Sequence, residues 1–144
     1  MKYTTTTEIN KPINEVIILF DNVDNLYKWM DGLQSFETIS GVAGEIGAKS
    51  KLKFKTGNRE MELVETILTK NLPKEFKVAF ETKGGYNTVS QRFEKVSNSV
   101  TRNIVESEFE FKGIMKFLAP LIKWLFKAQS MKYQKAFKKF VEGQ

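Results

Sequence analysis

Few side chains in this sequence could do chemistry, and the most informative ones lie among alternating apolar residues. The 144 residues include no histidine and no cysteine, which excludes Ser-His-Asp and Cys-His catalysis, disulfides and cysteine-bound zinc. Glu65, Gln91, Asn103 and Ser107 share the period-two phase of apolar neighbours. A buried polar group without a partner costs about 1–3 kcal/mol. We therefore expect these side chains to contact one another, water in a cavity or a ligand.

Glu65 is the candidate catalytic residue. If its side chain has the phase of Leu63 and Ile67, its carboxyl group points inward, and desolvation would raise its pKa. Such a group can act as a general acid or base, whereas a register shift of one residue would place it on the outer face. The spacing of acidic residues indicates no metal site, and neither GxGxxG nor a phosphate-binding loop is present. We predict no metal and no cofactor.

The elements that must position these residues follow from hydrophobic periodicity. Alternation near the N-terminus predicts a first strand, and Pro12 suits the first turn of a helix. A second short helix holds Leu26, Trp29 and Met30, with Asp24 or Asn25 as its cap. Six more strands and one long helix follow. The predicted bounds are strand 2–10, helix 12–21, strands 34–42, 48–56 and 59–69, a strand through Phe76, Val78 and Phe80, strands 86–96 and 100–111, and helix 113–142.

The long C-terminal helix carries two apolar faces. In its first half, one side holds Ile114, Phe117, Leu118, Leu121, Trp124, Leu125 and Ala128. Beyond Ser130 a second face, rotated by roughly 100° at 3.6 residues per turn, holds Tyr133, Ala136, Phe137 and Phe140. Proline removes a helical hydrogen bond, so we expect a kink at Pro120. We expect the first face to press toward the sheet.

Four segments in this order carry a resemblance to a known group of proteins. They are INKPINEVIILFDNVDNLYKWM at 9–30, GEIGAKSKLKF at 44–54, NLPKEF at 71–76 and KGIMKFLAPLIKWLF at 112–126. Together they resemble the SRPBCC superfamily, also called START-like or helix-grip proteins, and within it the polyketide cyclase/dehydrase and lipid transport family.

The resemblance implies an α+β helix-grip fold. A curved, seven-stranded antiparallel sheet would wrap around the long C-terminal helix, with two short helices between strands 1 and 2. Residues 1–144 would form a single START-like ligand-binding domain with an internal cavity. The resemblance also implies a small apolar or amphipathic ligand, without naming it.

Strand phase and the resemblance together give a predicted ligand-binding set. It comprises Trp29, Met30, Phe54, Leu63, Glu65, Phe80, Gln91, Phe93, Asn103, Phe109, Phe117, Leu121, Trp124 and Leu125. The first functional hypothesis is a carrier or sensor that binds a hydrophobic molecule in this cavity. The second is a cyclase- or dehydratase-like enzyme that uses a carboxyl group in the cavity. The third is an interaction module that uses the basic C-terminal helix on an acidic protein or an anionic membrane.

Charge is unevenly distributed along the chain. The net charge is +6, and residues 112–144 contain eight lysines and one glutamate. The three arginines are scattered, which argues against nucleic acid as a partner. The N-terminus lacks the apolar core of a signal peptide, and no window approaches the roughly 20 apolar residues of a spanning helix. We predict a cytoplasmic protein, monomeric or dimeric.

Overall fold

A computed structural model of the protein describes residues 1–111 and 113–144. Within these residues, seven strands form one sheet. Lys112, in the last of the segments that carry the resemblance, lies outside the described residues. The strands occupy the positions that alternation predicts, with ends that differ by one or two residues. They are β1 (Lys2–Ile9), β2 (Leu33–Ser40), β3 (Lys49–Thr56), β4 (Arg59–Asn71), β5 (Glu75–Thr82), β6 (Gly85–Ser97) and β7 (Val100–Phe111).

Two short helices connect β1 to β2, and one long helix ends the chain. Helix α1 spans Ile13–Phe20, and a 3-10 turn at Val23–Asn25 leads into α2, Leu26–Trp29. The side chain of Asn22 caps this turn by accepting a hydrogen bond from the backbone N–H of Asp24 at 3.0 Å. Asn25, one of the two predicted caps, occupies the N-cap position of α2, although its side chain makes no capping hydrogen bond there. Helix α3 spans Met115–Glu142.

The sheet is antiparallel throughout, in the order β1-β7-β6-β5-β4-β3-β2. Its register places side chains of one face in rows that cross the strands, since residues directly opposite each other point to the same side. One row runs from β3 to β7 and consists of Ser50, Glu65, Phe80, Asn87 and Phe109. Glu65 thereby shares its face with two phenylalanines, which places it on the inner face.

A turn at Gly32 fixes how α2 meets the sheet. Gly32 has a φ of +85°, and a Cβ at this position would lie 2.9 Å from the carbonyl oxygen of Lys55. A side chain is therefore excluded by both the left-handed backbone and the close approach. The carbonyl of Gly32 in turn accepts a hydrogen bond from the backbone N–H of Lys55 at 2.8 Å, which anchors the end of α2 to β3.

The main hydrophobic core lies where α1, α2 and the C-terminal half of α3 meet the sheet. Phe137 and Val141 of α3 are 2% and 0% exposed. The ring of Phe137 packs edge-on against Trp29, with 5.1 Å between the ring centroids. These contacts set the rotation of α3 about its own axis. The second of the two predicted apolar faces is therefore the buried one.

The first apolar face of α3 lies in solvent, which corrects the prediction that it presses toward the sheet. Phe117, Leu121, Trp124 and Leu125 are 81%, 68%, 66% and 50% exposed. The physical reason is that α3 is one continuous helix with Pro120 in its second turn. The buried phase of its C-terminal half therefore continues into the N-terminal half. That phase turns the first face away from the sheet.

Candidate ligand-binding site

A cavity of about 840 Å³ lies between the inner face of the sheet and α3. Strands β3 to β7 supply most of its wall, and the helices, together with Tyr3 of β1 and Phe36 of β2, supply the rest. Most of the side chains that surround it are aromatic or aliphatic. Those from the sheet are Tyr3, Phe36, Phe54, Met61, Leu63, Ile67, Phe76, Val78, Phe80, Val89, Val105 and Phe109, and those from the helices include Phe20, Leu26, Trp29, Met30, Phe126, Tyr133 and Phe137.

Stacked aromatic rings form the wall at one end of the cavity. The ring of Phe126 on α3 lies 5.0 Å from that of Phe109 and 5.8 Å from that of Phe111. Phe109 also stacks on Tyr3 at 5.8 Å. Offset stacks of this kind each add about 0.5–1.5 kcal/mol beyond the burial of their area. They fix the position of α3 over this end of the sheet.

Tyr3 ties the same part of α3 to β1 through its hydroxyl group. That hydroxyl lies 2.6 Å from the hydroxyl of Ser130 and donates to the backbone carbonyl of Phe126 at 3.0 Å. An O–H group carries one proton, so the hydroxyl of Ser130 must be the donor in the first bond. Ser130 therefore serves as a contact between helix and sheet.

A buried amide network crosses from α3 to β7. The side-chain N–H₂ group of Gln134 donates to the backbone carbonyl of Asn103 at 2.8 Å and to its side-chain oxygen at 3.2 Å. It also approaches the carbonyl of Thr5 at 3.3 Å. The amide of Asn103 then donates to the side-chain oxygen of Gln91 at 3.3 Å. Gln91 and Asn103 thus contact each other, as expected for polar groups on the inner face.

Two polar atoms at the cavity wall have no partner among the described residues. They are the hydroxyl oxygen of Ser107 and the side-chain carbonyl oxygen of Gln134, and their residues are only 1% and 4% exposed. The orientation of the Gln134 amide is fixed, because its N–H₂ group faces three oxygens. Leaving a buried acceptor unpaired costs about 1–3 kcal/mol.

Glu65 lies on the cavity wall, and burial raises the pKa of its carboxyl group from 4.5 to about 7. Neither a hydrogen bond nor an opposite charge offsets this desolvation. Its neighbours in the same row are Ser50 on one side and Phe80 on the other. A carboxyl group with such a pKa is mostly neutral at pH 6 and mostly ionised at pH 8. The cavity therefore changes charge near neutral pH.

Burial also raises the pKa of Tyr133, which keeps its hydroxyl group neutral and available as a donor. This residue lines the cavity from α3. Its neighbour Lys132 forms an exposed ion pair with Asp31 at 3.7 Å, and both residues border the cavity. Met61 and Val23 border it too and are 52% and 42% exposed. We take these exposed residues as the mouth of the cavity.

The structure brings together nine residues of the predicted ligand-binding set. Phe93 instead belongs to the hydrophobic core beside Phe20 and Phe137. The four solvent-facing residues of α3 do not line the cavity, because their side of the helix faces away from it. The residues at the cavity wall are Trp29, Met30, Phe54, Leu63, Glu65, Phe80, Gln91, Asn103 and Phe109.

Sequence reasoning missed the residues through which α3 contacts the cavity. They are Phe126, Gln129, Ser130, Lys132, Tyr133, Gln134 and Phe137. A signal for them was present, because residues 126, 130, 133, 137 and 141 are spaced by three or four positions and so share one side of a helix. This side is less hydrophobic than the competing face. The predicted face was therefore the wrong one.

Among residues 1–111 and 113–144, no three acidic side chains are placed to hold a metal ion together. Within the same ranges, no helix has the length and apolarity needed to cross a bilayer.

Comparisons with known proteins place the chain by its fold. No family model matches the sequence, and no curated protein matches it either. Solved structures do match over nearly the whole chain. Ara h 8.0201 has a TM-score of 0.83 at 14% identity and covers 100% of this chain and 99% of its own. The Zhui aromatase/cyclase from a Streptomyces species has a TM-score of 0.80 at 9% identity, covering 99% and 93%.

A third structure is norcoclaurine synthase from Thalictrum flavum, solved in complex with dopamine and hydroxybenzaldehyde. Its TM-score is 0.75 at 15% identity, and the match covers 98% of this chain and 86% of that one. Identities this low describe the fold and leave the narrower family assignment, to polyketide cyclase/dehydrase and lipid transport proteins, as a prediction. The seven-stranded antiparallel sheet and the long C-terminal helix show that this chain has the helix-grip fold, which is the fold that its resemblance to the SRPBCC superfamily implies.

Proposed function

We propose that the protein binds a small amphipathic molecule in the cavity between the sheet and α3, as a carrier or sensor. One observation carries the proposal: the cavity of about 840 Å³ is mostly apolar and has a few polar groups at fixed positions. Ligand pockets typically enclose about 300–1,000 Å³ and have this same character. An empty apolar space of this size would forfeit many packing contacts, so an occupant is favoured.

The polar atoms of the wall suggest how such a ligand would be oriented. The hydroxyl of Ser107 and the side-chain oxygen of Gln134 are unpartnered acceptors among the described residues. A hydroxyl, phenol or amine of the ligand could donate to them. The aromatic end around Phe109 and Phe126 would take the apolar part. Norcoclaurine synthase, which shares the fold, was solved with two small aromatic molecules.

The proposal is tested by blocking the cavity and by a matched change on the outer face. Val89 of β6 lines the cavity, whereas Thr88 precedes it and points to the opposite side, since side chains alternate along a strand. We expect Val89→Trp to abolish the fluorescence enhancement of a neutral apolar dye. Thr88→Trp is expected to preserve it. Circular dichroism and thermal unfolding would verify that both variants fold.

Equal dye binding by the two variants would place the dye elsewhere and overturn the proposal. Native mass spectrometry of gently purified protein adds a search for the natural ligand, because a co-purified molecule appears as a mass increment. The Val89→Trp variant should lack that increment. The cytoplasmic location and the catalytic candidacy of Glu65 stay predictions from the sequence.

A further inference from the structure

The N-terminal half of α3 exposes a continuous row of large apolar side chains, which we call the apolar stripe. Its members lie within an arc of about 120° at 3.6 residues per turn. They are Ile114, Phe117, Leu118, Leu121, Trp124 and Leu125, between 39% and 81% exposed. Single exposed apolar residues are normal on protein surfaces, but contiguous patches indicate an interaction site. The apolar stripe therefore requires a partner.

The charges around the apolar stripe identify the kind of partner. Between residues 113 and 141 the chain has seven lysines and no acidic residue. Lys123 and Lys127 are exposed on the same half of the helix, on the side opposite the apolar stripe. Lys132, Lys135 and Lys139 continue the arc of the apolar stripe toward the C-terminus. A partner must therefore offer both an apolar interior and negative charge beside it.

We propose that the N-terminal half of α3 docks on an anionic lipid bilayer, with the apolar stripe at the boundary between headgroups and acyl chains. Helices that lie on membranes combine Trp, Phe and Leu on one face with lysines around it, and long lysine side chains can reach the headgroups from partly immersed positions. A second copy of the chain fits less well, because pairing two apolar stripes would bring two sets of lysines together.

Docking in this orientation places α3 between the lipid and the cavity, because the apolar stripe lies on the side of the helix that faces away from the cavity. Phe126 follows the last residue of the apolar stripe and lines the cavity from α3. The docking surface is nevertheless separate from the cavity, because its six residues contribute nothing to the cavity wall. Membrane docking can therefore be tested whether or not the cavity binds a ligand.

Trp124 provides a direct reporter of docking. The chain has two tryptophans, of which Trp124 is 66% exposed and Trp29 is 8% exposed. We expect the emission of the wild-type protein to move to shorter wavelength with phosphatidylcholine vesicles that contain phosphatidylglycerol. Vesicles of phosphatidylcholine alone should have little effect. A Trp124→Phe variant, which retains only the buried tryptophan, should show no shift.

Vesicle co-sedimentation separates the contributions of charge and apolar area. Each lysine near an anionic surface contributes about a factor of five to binding, so Lys132→Gln/Lys135→Gln/Lys139→Gln should weaken partitioning by about a hundredfold. A matched control, Lys53→Gln/Lys55→Gln/Lys95→Gln, removes three exposed lysines from the sheet and should change it much less. Phe117→Ser/Leu121→Ser should abolish the Trp124 shift at unchanged charge.

Three results would overturn the proposal. The first is the absence of binding to anionic vesicles at low salt. The second is equal binding to neutral and anionic vesicles, which would remove the role of the lysines. The third is a Trp124 emission at short wavelength without vesicles, together with a dimer in analytical ultracentrifugation that Leu121→Ser dissociates. That combination would identify a second copy as the partner of the apolar stripe.

Discussion

Replacing Glu65 by glutamine should stabilise the protein by an amount that depends on pH. The carboxyl group has a raised pKa because burial penalises its charged form. Glutamine has nearly the same shape and carries no charge. The substitution therefore removes the desolvation penalty while leaving the size of the cavity almost unchanged.

The size of the expected stabilisation follows from the shift in the pKa of Glu65. Burial moves the pKa of Glu65 from 4.5 to about 7, a difference of about 2.5 units, and each unit corresponds to about 1.4 kcal/mol. The native state then retains a proton that the unfolded state has lost, and stability falls as the pH rises through this window. By this linkage the penalty is near zero at pH 4, about 2 kcal/mol at pH 6 and about 3 kcal/mol at pH 8.

Urea unfolding of wild type and Glu65→Gln at pH 4, 6 and 8 measures this penalty directly. The free energy of unfolding of the variant should exceed that of the wild type by about 3 kcal/mol at pH 8, and the difference should vanish near pH 4. Glu108→Gln serves as the control, because Glu108 is an exposed glutamate on β7. Its difference from wild type should stay within about 0.5 kcal/mol at every pH.

The reasoning would be refuted if Glu65→Gln had the same effect on stability at pH 4 and at pH 8. A variant that is less stable than wild type at pH 8 would also refute it. That result would mean that the ionised carboxyl group makes favourable contacts in the native state. It would remove the charge change that we assign to the cavity.

Three further predictions concern the cavity and α3. Phe137→Ala should destabilise the protein by about 3–5 kcal/mol because it leaves a cavity in the core, whereas Leu121→Ala should change stability by less than about 0.5 kcal/mol. If urea unfolding gave equal effects for the two variants, the rotation of α3 described above would be wrong. In fluorescence titrations, the affinity of the wild-type protein for a neutral apolar dye should fall between pH 6 and pH 8 as Glu65 ionises, whereas the affinity of Glu65→Gln should stay constant. A parallel fall in both proteins would assign the pH dependence to another group. Gln134→Leu should lower the free energy of unfolding, measured by thermal or urea unfolding, by about 1–3 kcal/mol, because the carbonyls of Thr5 and Asn103 lose the side-chain donor of Gln134. An unchanged stability would mean that these carbonyls find another donor.

Alternation along the strands was sufficient to predict which side chains face inward. A strand with one buried face has only two possible phases, and the apolar residues choose between them. For this reason the sequence alone places Glu65 beside Leu63 and Asn103 beside Val105. The pairing of Asn103 with Gln134 could not be foreseen, because it depends on where α3 lies across β7.

The rotation of α3 shows what periodicity leaves undetermined. A helix with two apolar faces can bury either one, and the more hydrophobic face, around Leu121 and Trp124, was predicted. The structure buries the other because Phe137 and Val141 meet α1, α2 and the sheet at once. Which face wins thus depends on the shape of the surface opposite the helix, and no local pattern records that shape.

Burial of one apolar face of α3 explains why the other face is exposed. Turning the helix to bury the apolar stripe would expose Phe137 and Val141, which are now almost completely buried. It would also break the contact between Tyr3 and Ser130 and remove Gln134 from its three acceptors. Such a helix cannot bury both faces within one chain. The apolar stripe is therefore available to a partner outside the chain at no cost to the core, and the lysines that continue its arc favour the anionic bilayer that we propose as this partner.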